Sequence, residues 1–507
     1  MADKEILRRN VFVHDDRVSD QNGDVLFEKS PQTTADVASL IRWLGKNRGI
    51  SSPTLWLLGA ELAERFGWLD VDASDEQLAD ATGDFIKAEI KKAFEAQTQG
   101  KSVVVQRAAY RFTVYPHWNQ RGGAPVAEIV VARLAGELAD GHRGVLDDLR
   151  TDDPEAEIVS RIRFVAEHLK INAAGPGALL ASRLADRVWS PPPPQGVWPL
   201  DDLAPTMFEP VQSATAPEPK LGEKLVVVDQ RKAVLAAMGT VRFGMGDPRE
   251  MPGSKVDWHS SEAPCTAVDV MLPALDSLGI PHVLAVHPLQ RPDRTVQARV
   301  STITVKQMLL PTADGGLGMD LDDVEFGDAL VWPETSTKLA TWTKHMREFF
   351  VVAGEDASLL IMLKEMYARY YKYFESQYSK GPHSQPVFSG LIRADMRCRS
   401  LRYARLIEAD ERCRGLLPIA AQTDAWFYVV PDDFDTSVFN AYDTLVNGKH
   451  LNGKYRVKDE KLGTEPPKTP PATVTTAAGP ATSAAAESAE ERGGRGILTK
   501  LFGRDRR

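Results

Sequence analysis

Leu225-Val226-Val227-Val228-Asp229 and Ala420-Ala421-Gln422-Thr423-Asp424-Ala425-Trp426-Phe427-Tyr428-Val429-Val430 are the stretches on which the reading of the fold turns. Each is a short apolar run presenting one aspartate. The first is apolar throughout, as in a strand buried on both faces, so Asp229 stands at the rim where strand passes into a helical run, Lys232–Met238. A helix cap would explain that aspartate as well. The second run sets a carboxylate inside a strand rich in aromatics. Burying a lone carboxylate costs several kcal/mol unless a metal or a cation compensates it. Two carboxylates brought side by side repel, which raises one pKa unless Mg²⁺ neutralises both. Mg²⁺ takes one or two protein carboxylates plus substrate phosphates. Asp229 and Asp424 are therefore the candidate catalytic residues and metal ligands, with Mg²⁺ as the implied cofactor. An edge strand with Asp424 in water is the alternative.

Between the two strands lie candidate nucleotide- and DNA-binding residues. Lys364, Tyr367 and Tyr371 fall at i, i+3, i+7 and share one helical face, apart from an apolar stripe of Leu359, Leu363, Met366, Tyr370 and Phe374. A lysine for phosphate beside aromatics for a base suits a nucleotide, although a tyrosine-rich helix also serves as plain core. The Leu391–Arg414 segment is arginine-dense, and Arg402 and Arg405 are its candidates for phosphate contact. A salt-bridged, solvated face explains the same pattern.

The chain has 507 residues, enough for two or three domains, and a net charge of −9. That balance excludes a uniformly cationic coat, so any nucleic-acid surface must be local. Three cysteines, Cys265, Cys398 and Cys413, show no zinc spacing and read as buried thiols of a reducing compartment. With no signal peptide and no membrane-length apolar run, a cytoplasmic, nucleoid-associated location is expected.

The expected class is α+β: a mostly helical N-terminal part, then a palm-like sheet packed with helices. Residues 1–30 read as a flexible N-terminus. Residues 31–122 read as a small α+β domain, either an ordinary one or a winged helix, with helical periodicity from Thr34 to Trp68 and over Leu78–Ala96, then a hairpin of Ser102–Gln106 and Tyr110–Tyr115. Residues 123–190 read as helical, including Val126–Ala139. Residues 191–222 form a proline-rich linker opening on Pro191–Pro194, and 223–451 form the sheet-bearing domain, with further strands at Val283–Val286 and Thr295–Val305. Residues 452–491 read as a disordered tail. Residues 492–507 carry six cations and one anion around Ile497, Leu498, Leu501 and Phe502, a basic amphipathic docking element. Leu-Thr-Lys-Leu-Phe (498–502) is similar to peptides that bind bacterial sliding clamps, making residues 497–502 a candidate contact with such a clamp or another partner.

The order of these motifs resembles the palm of family B DNA polymerases. In those enzymes an aspartate opens a strand-to-helix turn, a lysine–tyrosine helix follows, and a Tyr-x-Asp-Thr-Asp-Ser strand closes the set. More specifically, the run from about residue 155 to 430 resembles the telomere-associated proteins of actinobacterial linear chromosomes, plasmids and phages. The matching pieces are Val227-Val-Asp-Gln-Arg-Lys-Ala-Val-Leu-Ala-Ala-Met-Gly239, Gly244-Met-Gly-Asp-Pro248, Val331-Trp-Pro-Glu334, Lys364-Glu-Met-Tyr367, Arg402-Tyr-Ala-Arg405 and Thr423-Asp424-Ala-Trp426. The resemblance implies DNA, in particular a telomeric 3′ overhang, and a terminal protein as partners. It also implies Lys364 on the incoming phosphates. Gln422 stands where the polymerases have their first strand aspartate, and Val234 where they have a tyrosine that closes on the sugar. A limited deoxynucleotidylation, or DNA binding alone, fits those departures better than a full polymerase. A transcriptional regulator acting through residues 34–120 is the remaining alternative.

Overall fold

The computed structural model describes residues 9–68, 76–116, 125–137, 143–189, 218–260, 263–374, 386–413, 415–422, 424–441, 445–446, 449–450 and 453–463. The proline run, most of the composition-biased tail, the basic element at 492–507 and the clamp-like peptide lie outside the described residues.

The N-terminal part is built on a seven-stranded mixed sheet, which corrects the expectation of a mostly helical region. Its strands are β1 (Asn10–Val13), β2 (Val18–Asp20), β3 (Val25–Phe27), β4 (Thr54–Leu57), β5 (Val103–Ala108), β6 (Arg111–Pro116) and β7 (Ala127–Val131), in the order β3-β2-β1-β4-β7-β6-β5. β4 runs parallel to both β1 and β7. These three are buried along their whole length, which is why Val-Phe-Val, Leu-Trp-Leu and Ile-Val-Val carry no alternation.

Two helical expectations fail here for one reason: short apolar runs fit periods of 3.6 and 2 alike. Leu55 and Leu58 belong to a strand and its exit after the Pro53 break, and the described part of the run from Val126 is strand β7 followed by a 3-10 turn over Ala132–Glu137. Residues 10–27 are likewise sheet rather than a loose terminus, and Trp56 Nε1 donates to Asn10 Oδ1 at 3.0 Å. The β5–β6 hairpin of 31–122, read alternatively as a wing, is part of the seven-stranded sheet, with β6 paired to β7. Helix α1 (Thr34–Arg48), with its Thr33–Asp36 capping box, α2 (Glu76–Gln97) and the β5–β6 hairpin do form as read.

Helices α3 (Pro154–Phe164) and α4 (Gly177–Val188) follow. Beyond the linker, β8 (Glu223–Gln230) leads into α5 (Ala233–Met238). A second sheet, β10 (Arg249–Pro252), β13 (Phe326–Trp332), β11 (Cys265–Leu272) and β12 (Val296–Ser301), is antiparallel, and β9 (Phe243–Met245) pairs with β14 (Glu334–Ser336). The run read as strand to Val305 ends at Ser301, where α6 (Thr302–Leu309) begins, and in place of the strand read at Val283–Val286 there is a 3-10 turn, His282–Leu284, followed by irregular chain. Then come α7 (Leu339–Ala353), α8 (Ala357–Phe374) and α9 (Pro386–Ala409).

The third sheet has the order β15 (Ala420–Gln422), β16 (Ala425–Pro431), β8, and a last strand, for which β17 (Leu445–Val446) and β18 (Lys449–His450) precede β19 (Tyr455–Leu462). β19 pairs antiparallel with β8, which corrects the reading of residues 453–463 as part of a disordered tail.

One hydrophobic core runs from β1 through α4 to α5, α7, α8 and the start of α9. It joins the two sides of the linker: Trp342 Nε1 donates to the Ala181 carbonyl at 3.1 Å, and a Cβ at Gly177 would stand 3.4 Å from the α8 backbone. A second core lies between the second and third sheets and the later turns of α9. The three cysteines are buried, as read.

Candidate active site

β8 is the central strand of the third sheet, between β16 and β19. Its residues alternate in facing: Val226, Val228 and Gln230 are buried toward α9, whereas Val227 and Asp229 are half-buried on the other face. On β16, Trp426 pairs with Val228 and turns to α9, where its indole donates to the Ser400 carbonyl at 3.1 Å. Gln422 pairs with Ala425, so Asp424 lies in the turn of the β15–β16 hairpin. Asp424 therefore sits at a hairpin tip, not inside the strand as its aromatic neighbours suggested. That tip meets the end of β8 that bears Asp229.

The two carboxyl groups are in side-chain hydrogen-bonding contact. Burial first, and then the Asp229 carboxylate, push the Asp424 carboxyl up to about 7. Tyr367 of α8 is buried beside them, and its phenol is raised by burial and then by Asp424 and Asp229. The face of α8 read from the sequence thus meets the aspartates through Tyr367. Lys364 is exposed, while Tyr371 is buried with the Arg393 guanidinium 5.8 Å from its ring centre.

The arginines of α9 divide. Arg397 is buried and donates to the Val283 and Ala285 carbonyls while its guanidinium lies 4.9 Å over Trp426, so it is a structural strut. Arg405 is paired with Glu408 at 2.6 Å, and Arg402 is exposed. Tyr403, between them in sequence, faces the sheet, stacked on Tyr455 at 4.0 Å. Arg402 and Arg405 therefore flank the sheet-facing side of α9, and no described contact joins them to the aspartates.

Several residues beside the site were not singled out by the sequence reading. Arg456 of β19 stands directly opposite Asp229, and Lys458 Nζ lies 3.3 Å from Asp229 Oδ2. Their signal was present: Tyr455-Arg-Val-Lys-Asp-Glu-Lys-Leu opens with apolar and charged residues alternating, as in an edge strand. Lys232, at the start of α5, lies 3.4 Å over the Phe350 ring, which in turn meets Tyr367 at 6.0 Å. Burial and then Arg347 push the Lys232 ammonium down to about 8, and Arg347 is itself lowered by burial and by Arg399. Arg399 is held by Asp395 at 2.6 Å and donates to Thr240 Oγ1 at 2.7 Å. Lys232, Arg347, Arg399 and Asp395 form one charged cluster, linked to the two aspartates from Lys232 through the rings of Phe350 and Tyr367.

The donor set suits a hard divalent cation. A carboxyl whose charged form is opposed by burial and by a neighbouring carboxylate, as that of Asp424 is, is suited to such an ion. Among the described residues no group of three or more His, Cys, Asp or Glu gathers around one point.

No family model and no curated protein matches the chain. Among solved structures it is similar to Phi29 DNA polymerase. With that enzyme bound to primer-template DNA as a post-translocation binary complex, the TM-score is 0.49 at 12% identity, over 89% of this chain and 84% of that one. With the enzyme bound to single-stranded DNA the TM-score is 0.47 at 12% identity, over 87% and 80%. Among the described residues no helix is long and apolar enough to cross a membrane.

Proposed function

We propose that this protein binds the ends of linear DNA with a terminal protein and, with Mg²⁺ held by Asp229 and Asp424, transfers a deoxynucleotide to a hydroxyl acceptor. The single observation that carries the reading is the contact between these two carboxyl groups, brought together from a strand and a hairpin turn far apart in sequence, with the exposed Lys458 as the cation paired to Asp229. Stability alone does not account for such an arrangement, because each ionised carboxylate is a cost to the other.

In this reading Asp229 and Asp424 would hold the ion, and the chemistry it would supply there is activation of an attacking hydroxyl and stabilisation of a pyrophosphate leaving group. Tyr367 walls the carboxylates from α8 and keeps water from one side. Lys232, Arg347 and Arg399 offer charge to phosphates arriving along α5, and Lys364, exposed on α8, adds to it from solvent. Gln422, exposed and neutral where a second strand acid would strengthen the site, favours few transfers per binding event over processive synthesis.

A second reading, a DNA-binding scaffold on the same fold, is favoured by the Lys458–Asp229 ion pair, which neutralises one ligand without a metal. Incubation of the full chain with labelled deoxynucleotide, Mg²⁺, terminal protein and a 3′-overhang duplex separates the two. Transfer of label that disappears in Asp424→Asn, with the gel shift intact, supports the enzyme. A gel shift with no transfer in the wild type leaves the scaffold, and no shift at all overturns both.

A further inference from the structure

The last strand departs from regular pairing beside the carboxylates. Between Val457 and Asp459 the β19–β8 register shifts, so Lys458 is the extra residue of a β-bulge, and such residues are re-aimed out of the ladder. This one is aimed at Asp229, 3.3 Å away. A regular strand would pair Lys458 with a residue of β8; the bulge frees it to reach along the sheet. The ammonium thus stands beside a carboxylate whose other neighbour is the Asp424 carboxyl.

Centres with two metal ions about 3.5–4 Å apart need ligands enough to neutralise four positive charges. Here two carboxylates supply two negative charges, and Gln422 adds none. We propose that Asp229 and Asp424 hold one divalent cation, and that Lys458 supplies the second positive charge that another site would take from a second metal. The inference rests on the metal-binding reading above and deepens it. With one ion and one ammonium the site carries a single net positive charge, enough to attract a triphosphate. A second ion would have to displace the ammonium.

The test is Mn²⁺ binding to the full chain, followed by electron paramagnetic resonance and equilibrium dialysis and so independent of turnover. The wild type is expected to hold one Mn²⁺ that Asp424→Asn abolishes. Lys458→Met is expected to tighten that ion by about three- to tenfold, because a unit charge a few ångströms from a dication is removed. Lys458→Arg is expected to bind as the wild type does. The Lys458 side chain is 56% exposed, so these variants keep the fold, which circular dichroism checks. Two Asp424-dependent ions in the wild type, or an unchanged affinity in Lys458→Met, overturn the proposal and leave the carboxylate site standing. No Mn²⁺ bound by the wild type removes the site and the proposal together.

Discussion

The first and third sheets each carry a carboxylate on a central strand, and they treat it in opposite ways. Glu128 of β7 is buried and satisfied from within: Arg111 Nη1 lies 3.3 Å from one oxygen, and Asn172 Nδ2 donates to the other at 2.7 Å. Asp229 of β8 meets a second carboxyl and an exposed lysine. The proposed function accounts for the difference: fixed internal donors suit a structural carboxylate, and two carboxyls set against each other suit something that arrives from outside.

The comparison is sharpest at Glu128. Glu128→Ala strands Arg111 and Asn172 and is expected to cost about 3 kcal/mol in urea denaturation, since breaking a buried pair leaves its partner uncompensated. A loss below about 1 kcal/mol would erase the contrast between the sheets.

Asp424→Asn should act in the opposite direction. The Asp424 carboxyl is raised in the folded state from 3.8 to about 7, so ionisation opposes folding, and stability is lost as pH rises through that window. The asparagine variant should therefore match the wild type near pH 3.5 and exceed it by roughly 1–3 kcal/mol at about pH 8. Equal melting temperatures at the higher pH would mean that the two carboxyls do not feel each other.

Mg²⁺ should raise the wild-type melting temperature at about pH 8, by roughly 1 kcal/mol equivalent at a few times its dissociation constant. Asp424→Asn should not respond. A Mg²⁺ effect that survives in the variant would place the ion elsewhere.

The smallest effect is expected at Lys364. Lys364→Ala should change stability by less than about 0.5 kcal/mol. It should also reduce the salt dependence of overhang binding by about one phosphate contact. An unchanged salt slope would remove α8 from the DNA surface.

The sequence was most legible where a residue's environment is local. The period of 3.6 from Val37 to Leu44 together with the Thr33–Asp36 box located α1, and the apolar run before Asp229 located β8. Tyr367 was found because i, i+3, i+7 spacing fixes a helical face. Legibility failed where a short run fits two periods, as at Leu55 and Val126, or where composition masks pattern, as at Tyr455–Leu462 beside a tail rich in proline and alanine. Arg397 shows a further limit: its charge predicted solvent, whereas two loop carbonyls and Trp426 hold it buried.

By itself the sequence determined that two apolar strands each carry an aspartate with them, because strand burial follows from neighbouring residues. Only the tertiary structure decided that those aspartates touch, that Asp424 occupies a hairpin tip, and that Lys458 arrives from a strand the composition hid. Strand order and register are settled by which faces can be buried together across the whole chain, and no local pattern carries that information.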